Sequence, residues 1–203
     1  SVGEVSKLKF NDYFVQEGLA FRFTPFNYRV WGDAEGDNGY AVDIKKLYDN
    51  VMNRYKYGGL DTPGLYLDET TLRTCYYHRR LFAQLAKELI KQGDHVRARK
   101  VLTYAEQAVP AYNVPEIYES GSFDIATAYA ALGEKTEAVT LFNHLIAESE
   151  DYINWAFSLG NGRTGMMQND CLYKFWQWNA YNERMKEIDK ESYEASNRRF
   201  EEK

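Results

Sequence analysis

The sequence contains little cysteine and little histidine, and neither residue type occurs at a spacing that suggests chemistry. Its 203 residues include two cysteines, Cys75 and Cys171, which lie 96 positions apart and form no CxxC motif. We expect two buried free thiols rather than the disulfide that two cysteines also allow. The three histidines, His78, His95 and His144, lie on three different predicted helices, and only His78, three residues after Cys75, could share a helix face with a cysteine. The sequence therefore predicts no metal site and no other cofactor.

Long apolar runs and an excess of basic residues are also lacking. No apolar run reaches the roughly 20 residues that a membrane-spanning helix needs, and no signal peptide is recognisable. The chain has 25 Lys and Arg against 30 Asp and Glu, a net charge of −5, which argues against a nucleic-acid partner. Because the chain starts at Ser1, we expect a processed protein or a soluble piece of a larger one.

A repeat with an offset of 40 residues is the most informative feature of the sequence. Seven positions recur in the same order of large apolar residue, small residue and turn glycine. This pattern predicts two helix-turn-helix copies with turns at Gly93 and Gly133, in which small residues let antiparallel helices approach closely. The first set is Leu85, Ala86, Leu89, Gly93, Ala98, Leu102 and Ala105, and the second is Ile125, Ala126, Tyr129, Gly133, Ala138, Phe142 and Leu145.

The first copy resembles a tetratricopeptide repeat. Ala86 and Ala98 match the close-packed crossing of its two helices, Gly93 matches the turn, and Pro110 ends the second helix. The offset of 40 exceeds the usual 34, so about six residues are inserted around 112–118. We predict a mainly α fold of tetratricopeptide-like hairpins, an α-α superhelix, with a small extended N-terminal element. The alternative is an irregular helical bundle whose two hairpins look alike.

The remaining elements follow from hydrophobic periodicity and turn residues. Alternating apolar residues over Leu19–Thr24 predict a strand that forms a hairpin with Tyr13–Val15, and a glycine-rich loop follows at 32–39. We divide the chain into an extended segment, 1–40, and a helical domain, 41–203, which form a single compact unit overall. The last helix has a charged second half, which we expect to project into solvent or to fray. The predicted helices cover about 43–57, 68–92, 94–109, 118–132, 134–157 and 168–200.

Four short segments carry a more specific resemblance: YFVQEGLAFR at 13–22, LYDNVMN at 47–53, YGGLD at 57–61 and YLDE at 66–69. They resemble the C-terminal soluble region of a multi-spanning membrane-protein family, common in Bacteroidetes, of unknown function. Its membrane portion resembles protein O-mannosyltransferases. The resemblance implies that this chain is the soluble tail of a membrane-embedded, glycosyltransferase-like protein on the extracytoplasmic (periplasmic) face. It implies no catalytic residue here, because the family's acidic catalytic motif lies in the membrane portion.

The densest cationic and aromatic cluster lies at 73–80, where Arg73, Tyr77 and Arg80 fall on one face of a predicted helix. The structural alternative is a set of arginines whose stems cover a packed tyrosine. In stacked hairpins the first helices line a concave surface, so we predict a short groove suited to an extended, weakly acidic peptide. The candidate binding residues are Arg73, Tyr77, Arg80, Ala83, Lys87, Phe123, Thr127 and Ala130.

These patterns favour binding or scaffolding over catalysis, with a protein or peptide as the expected partner. The sequence has no P-loop and no G-x-S-x-G motif, and its carboxylate pairs suit helix caps and solvated surfaces. One alternative is a glycan-acting enzyme on a helical scaffold, which needs two carboxylates about 5–10 Å apart across a cleft. Another is a purely structural cap of a membrane portion. Trp155, Trp176 and Trp178 fit either the core of a C-terminal cap or an open binding platform.

Overall fold

The computed structural model describes residues 10–28, 40–160 and 165–203. These residues form the predicted mainly α fold of packed helical hairpins, with a small three-stranded sheet near the N-terminus. The chain divides into two compact units, Ser1–Asn113 and Val114–Lys203, which are called the first and the second unit. The sheet and the first hairpin belong to the first unit, and the second hairpin and the C-terminal helices belong to the second.

The sheet consists of β1 (Phe14–Gln16), β2 (Phe21–Phe23) and β3 (Ala41–Val42). β1 pairs antiparallel with β2, which confirms the predicted hairpin, and it pairs parallel with β3. The sequence does not predict β3, because two residues are too few to show the alternation of a strand. The predicted division at residue 40 falls beside β3, within the first unit. The loop predicted at 32–39 lies outside the described residues.

Helix α1 (Ile44–Asp49) begins where predicted. Asp43 is its N-cap, and the Asp43 carboxylate accepts a hydrogen bond from the Lys46 backbone N–H at 3.0 Å. The helix continues as one π-helical turn, Asn50–Arg54, so its helical backbone ends before the predicted stop at Gly58. A single π turn widens the helix locally, and periodicity alone does not reveal it.

Helices α2 (Glu69–Lys91) and α3 (His95–Ala108) form the first hairpin, within one or two residues of the predicted bounds. The Asp68 carboxylate caps α2 and accepts hydrogen bonds from the backbone N–H groups of Thr70 and Thr71. These two N–H groups have no partner inside the helix, so the cap satisfies them and fixes the start of α2.

Helices α4 (Ser122–Ala131) and α5 (Lys135–Ser158) form the second hairpin. α4 begins four residues later than predicted, because a 3₁₀ turn, Tyr118–Ser120, and Gly121 precede it. Gly121 has a φ angle of 84°, which separates this turn from the helix. The irregular stretch before α4 accounts for the residues that lengthen the repeat offset from the usual 34 to 40.

The two hairpins share one turn geometry and one set of buried positions. Gly93 and Gly133 have φ angles of 76° and 78°, the left-handed conformation that favours glycine. In the first turn the Asp94 N–H donates to the Leu89 carbonyl oxygen at 2.9 Å, and the equivalent bond in the second turn measures 3.0 Å. All six matched apolar pairs are at most 5% exposed. The predicted pair of hairpins with turns at these glycines is therefore confirmed.

The C-terminal region contains two helices, α6 (Gln168–Ile188) and α7 (Lys190–Glu201), where the sequence predicted one. The chain breaks at Asp189, which has an extended backbone. The prediction that the charged second half projects into solvent or frays is wrong, because α7 packs against α6. The Trp178 Nε1–H donates to the Ser196 hydroxyl oxygen at 2.8 Å, and both side chains are buried. A few small and aromatic residues on one face are enough to hold a highly charged helix.

The stability of the fold depends on pH in part through Asp189, the residue at the break between α6 and α7. The Lys135 ammonium, 2.8 Å away, and the Ser192 backbone N–H both donate to the Asp189 carboxylate, and they lower its pKa to about 2. The carboxylate therefore stabilises the fold fully above its unfolded pKa of roughly 4, and this contribution is lost as the pH falls through about 2.

We expect the Asp189→Asn variant to melt at a lower temperature than the wild type near neutral pH. The two melting temperatures should converge as the pH falls from about 4 to about 2, because the wild-type carboxyl then becomes neutral as well. Melting curves at closely spaced pH values in low-salt buffer test this, since salt screens the exposed ion pair. A difference that stays constant over this range would show that the carboxylate charge plays no part.

Candidate functional site

The predicted cationic cluster forms an exposed strip along α2. Its residues follow one another at spacings of four, three and seven, which place them on one face of the helix. The Arg80 guanidinium carbon lies 5.4 Å from the centroid of the Tyr77 ring, and Arg73 forms an ion pair with Glu69. Tyr77 is 58% exposed. The name α2 strip is used for Arg73, Tyr77, Arg80 and Lys87.

Two other residues of this region point into the core of the first unit. Ala83 is 2% exposed, so the prediction that it lines a surface groove is not matched by its position. Three residues turn a helix by about 300°, which equals 60° backward, so Ala83 lies at the edge of the exposed face, on the side of the buried Arg79. Arg79 is also buried, and its guanidinium donates to the Val109 carbonyl oxygen at 2.8 Å. Since Val109 is the C-cap of α3, Arg79 satisfies a carbonyl at the helix terminus.

The other predicted groove residues, Phe123, Thr127 and Ala130, are half-buried in α4 of the second unit. The Thr127 hydroxyl donates to the Phe123 carbonyl oxygen at 2.9 Å, within the helix. The Phe123 ring lies 5.6 Å from the Tyr118 ring and 5.8 Å from the Tyr181 ring. Phe123 therefore supports an aromatic cluster of the second unit. The groove that these residues would share with the α2 strip stays a prediction.

A contiguous exposed surface lies on the first half of α6, where the sequence analysis considered only Trp176, as a residue of the core or of an open platform. Leu172, Tyr173 and Trp176 are 58%, 43% and 52% exposed and lie within little more than one helical turn. The Tyr173 and Trp176 rings are stacked, with centroids 5.7 Å apart and planes 11° apart. The Tyr118 ring packs edge-to-face against Trp176 at 5.4 Å. The name Trp176 patch is used for Tyr118, Leu172, Tyr173 and Trp176.

The sequence allowed three tryptophans to lie either in a core or on an open platform. In the structure one of them is buried and two are exposed. Trp178 is fully buried, as the core interpretation predicted. Trp176 and Trp155 are 52% and 49% exposed. Trp155 lies on α5, where its ring packs against Tyr152 with centroids 5.4 Å apart. Two of these three tryptophans therefore lie at the surface of the second unit.

The surroundings of the Trp176 patch are acidic. The pKa of the Tyr118 phenol is raised, mainly by burial. The neighbouring Tyr173, Asp124 and Glu119 raise this pKa further. Both carboxylates are therefore close enough to act on the patch. The second unit as a whole has nine Lys and Arg against sixteen Asp and Glu, whereas the first unit has sixteen against fourteen. The potential around the patch favours cations.

The first unit also contains a cavity of about 550 Å³, lined by residues between 52 and 61 and between 104 and 108. Two of its lining tyrosines, Tyr57 and Tyr104, have ring centroids 6.1 Å apart. His78 packs against Tyr57, and burial lowers the pKa of its imidazole. Asp61 is the one carboxylate among the described residues that line the cavity. The cavity therefore does not present the carboxylate pair that glycoside hydrolysis requires.

The described part of the chain holds no group of three or more His, Cys, Asp or Glu side chains that could bind a metal ion. His144 instead contacts Glu116, with 3.0 Å between its Nδ1 atom and the carboxylate. Cys75 and Cys171 are free and buried, as expected. Across the same described residues, no helix is both long enough and apolar enough to cross a membrane.

Three of the segments that carry the membrane-protein resemblance contact one another within the first unit. The Asn50 side-chain amide donates to the Glu17 carbonyl oxygen at 2.7 Å, and the Lys46 ammonium lies 2.7 Å from the Glu17 carboxylate. The Tyr57 hydroxyl donates to the Val51 carbonyl oxygen at 2.7 Å. These contacts give the segments a structural role, in which side chains fix the sheet and the loop after α1.

Comparison of the chain with protein-family models, with curated proteins and with solved structures finds no match in any of the three. The two exposed surfaces and their charges are therefore the features of the molecule that point to a function. The membrane-protein resemblance remains an expectation from the sequence.

Proposed function

We propose that this chain is a non-catalytic binding and scaffolding domain that holds a polypeptide partner through the α2 strip. The observation that carries the proposal is a line of exposed cationic side chains on one face of a long, capped helix. Arg73 and Lys87 are fourteen residues apart, which corresponds to about 21 Å along the helix axis. An extended peptide of about six residues covers this length.

The charge of the strip favours an acidic partner segment. Arg80 and Lys87 lie two turns apart on the same face, so they can contact carboxylates along an extended chain. Tyr77 adds a ring surface between the cationic groups. Exposed ion pairs contribute only about 0.2–1 kcal/mol each, so the affinity should be modest and should fall as salt increases.

The test is a binding assay with a fluorescent 12-residue peptide of alternating Glu and Ser. We expect the wild type to bind it at low salt, and the Arg80→Glu/Lys87→Glu variant to bind it about three- to tenfold more weakly. A matched control, Lys45→Glu/Lys100→Glu, changes the net charge equally at two other exposed lysines of the first unit and should weaken binding less.

Two results would overturn this assignment. Full-strength binding by the Arg80→Glu/Lys87→Glu variant would show that the α2 strip is not the site. No binding of acidic peptides by the wild type would favour the purely structural role. The non-catalytic part of the proposal fails if the purified chain turns over a panel of glycosides.

We extend the proposal to the setting of the chain, on the sequence resemblance alone. The domain would form the extracytoplasmic part of a membrane-embedded, glycosyltransferase-like protein, where it would hold partner proteins or acceptor polypeptides. Sequencing the full-length gene product and digesting intact cells with an external protease test this. Spanning helices in the same product, together with cleavage from the outer side of the membrane, are the expected results.

A further inference from the structure

We infer that the second unit carries a separate docking surface, the Trp176 patch, which takes a basic segment of a polypeptide and stacks its Arg or Lys side chains on exposed rings. The inference rests on the proposed function, since it assumes a polypeptide partner. It differs in using another unit, other residues and the opposite charge.

The patch consists of apolar residues that the core of the second unit does not need. Single exposed apolar side chains are ordinary, but Leu172, Tyr173 and Trp176 form one contiguous surface. The core-facing side of α6 is supplied by other residues, among them the fully buried Trp178 and Tyr181. Tryptophan and tyrosine are the residues that most often dominate binding energy at protein interfaces.

The rings of the patch are held in place before a partner arrives. Trp176 is stacked on Tyr173 and contacts Tyr118 edge-to-face. Tyr118 in turn lies 5.6 Å from Phe123 and 6.4 Å from the buried Tyr181. A partner therefore meets fixed aromatic surfaces, and little side-chain entropy is lost on binding.

The charge around the patch selects a basic partner. Asp124 and Glu119 act electrostatically on Tyr118, and Glu183 lies two turns after Trp176 on the exposed side of α6. The second unit has seven more acidic than basic side chains. Cations stack favourably on Trp and Tyr faces, and nearby carboxylates strengthen this attraction, whereas an acidic segment is repelled.

The experiment uses the full chain and a fluorescent 12-residue peptide of alternating Arg and Gly. We expect Trp176→Ala to weaken binding about tenfold, and Trp176→Phe to keep most of it because the ring face remains. Asp124→Asn should weaken binding about two- to threefold and flatten its salt dependence. Trp155→Ala is the matched control, because it removes an equally exposed tryptophan of the same unit and should leave binding unchanged.

Each outcome separates this inference from the proposed function. If the Trp176→Ala variant binds the Arg/Gly peptide as strongly as the wild type does, the inference is overturned. Binding of a neutral oligosaccharide in place of the peptide, with no salt dependence, also overturns it. If the acidic peptide binds the α2 strip but the Arg/Gly peptide does not bind at all, the inference fails while the proposed function stands. Trp176→Ala should leave binding of the acidic peptide unchanged.

Discussion

Replacing Trp178 with alanine should lower the free energy of unfolding by about 3–5 kcal/mol. Trp178 is fully buried, so the variant loses the burial of a large ring and leaves a cavity that its neighbours fill only in part. The substitution also removes the donor to Ser196, whose hydroxyl donates to the Asn182 side-chain oxygen at 2.6 Å. The Phe200 ring of α7, 5.4 Å from Trp178, loses its partner as well.

Denaturant titration followed by circular dichroism measures this effect. Trp176→Ala is the natural control, because the two tryptophans lie two residues apart on α6 and differ mainly in burial. We expect the control to cost less than about 1 kcal/mol, as is usual for exposed substitutions. Equal losses for the two variants would contradict the packing of α7 against Trp178.

The second large effect concerns the helix crossings of the two hairpins. Ala98 and Ala138 are fully buried, and each follows its turn glycine by five residues. Leucine at either position adds three carbons where two helices approach closely, so Ala98→Leu and Ala138→Leu should each cost roughly 1–3 kcal/mol. Thr103→Leu, an exposed change on α3, serves as the control. If Ala98→Leu leaves the melting temperature unchanged, the helix crossing accommodates the larger side chain and is not closely packed.

Sequence reasoning identified the elements whose signals are local. The glycine turns, the helix starts near residues 43 and 68 and the apolar recurrence each depend on neighbouring residues, and all of them are present. The break at Asp189 also has a local signal, an acidic N-cap three residues before Ser192, but the surrounding charges obscured it. The return of α7 onto α6 depends on Phe200 and Ser196, whose partners lie more than ten residues away.

The candidate surfaces were harder to predict, because one residue decides whether a helical side chain faces water or the core. Arg79 and Arg80 are sequence neighbours, yet the first is buried and the second is exposed. Two positions rotate a helix by about 200°, which places Trp176 outside and Trp178 inside. The periodicity of α6 is weak, since polar and apolar residues alternate around it, so the phase of the helix could not be read from the sequence.

The two buried cysteines give each unit its own reporter of transient opening. Cys75 lies in α2 of the first unit and Cys171 in α6 of the second, and burial raises the pKa of both thiols. The thiolate is the nucleophile that attacks an alkylating reagent, so a shielded, protonated thiol reacts only while the surrounding helix is open. Peptide mass analysis can follow the rate at which each cysteine is labelled in the native protein. This rate therefore measures how often the unit around each cysteine opens, without any engineered probe.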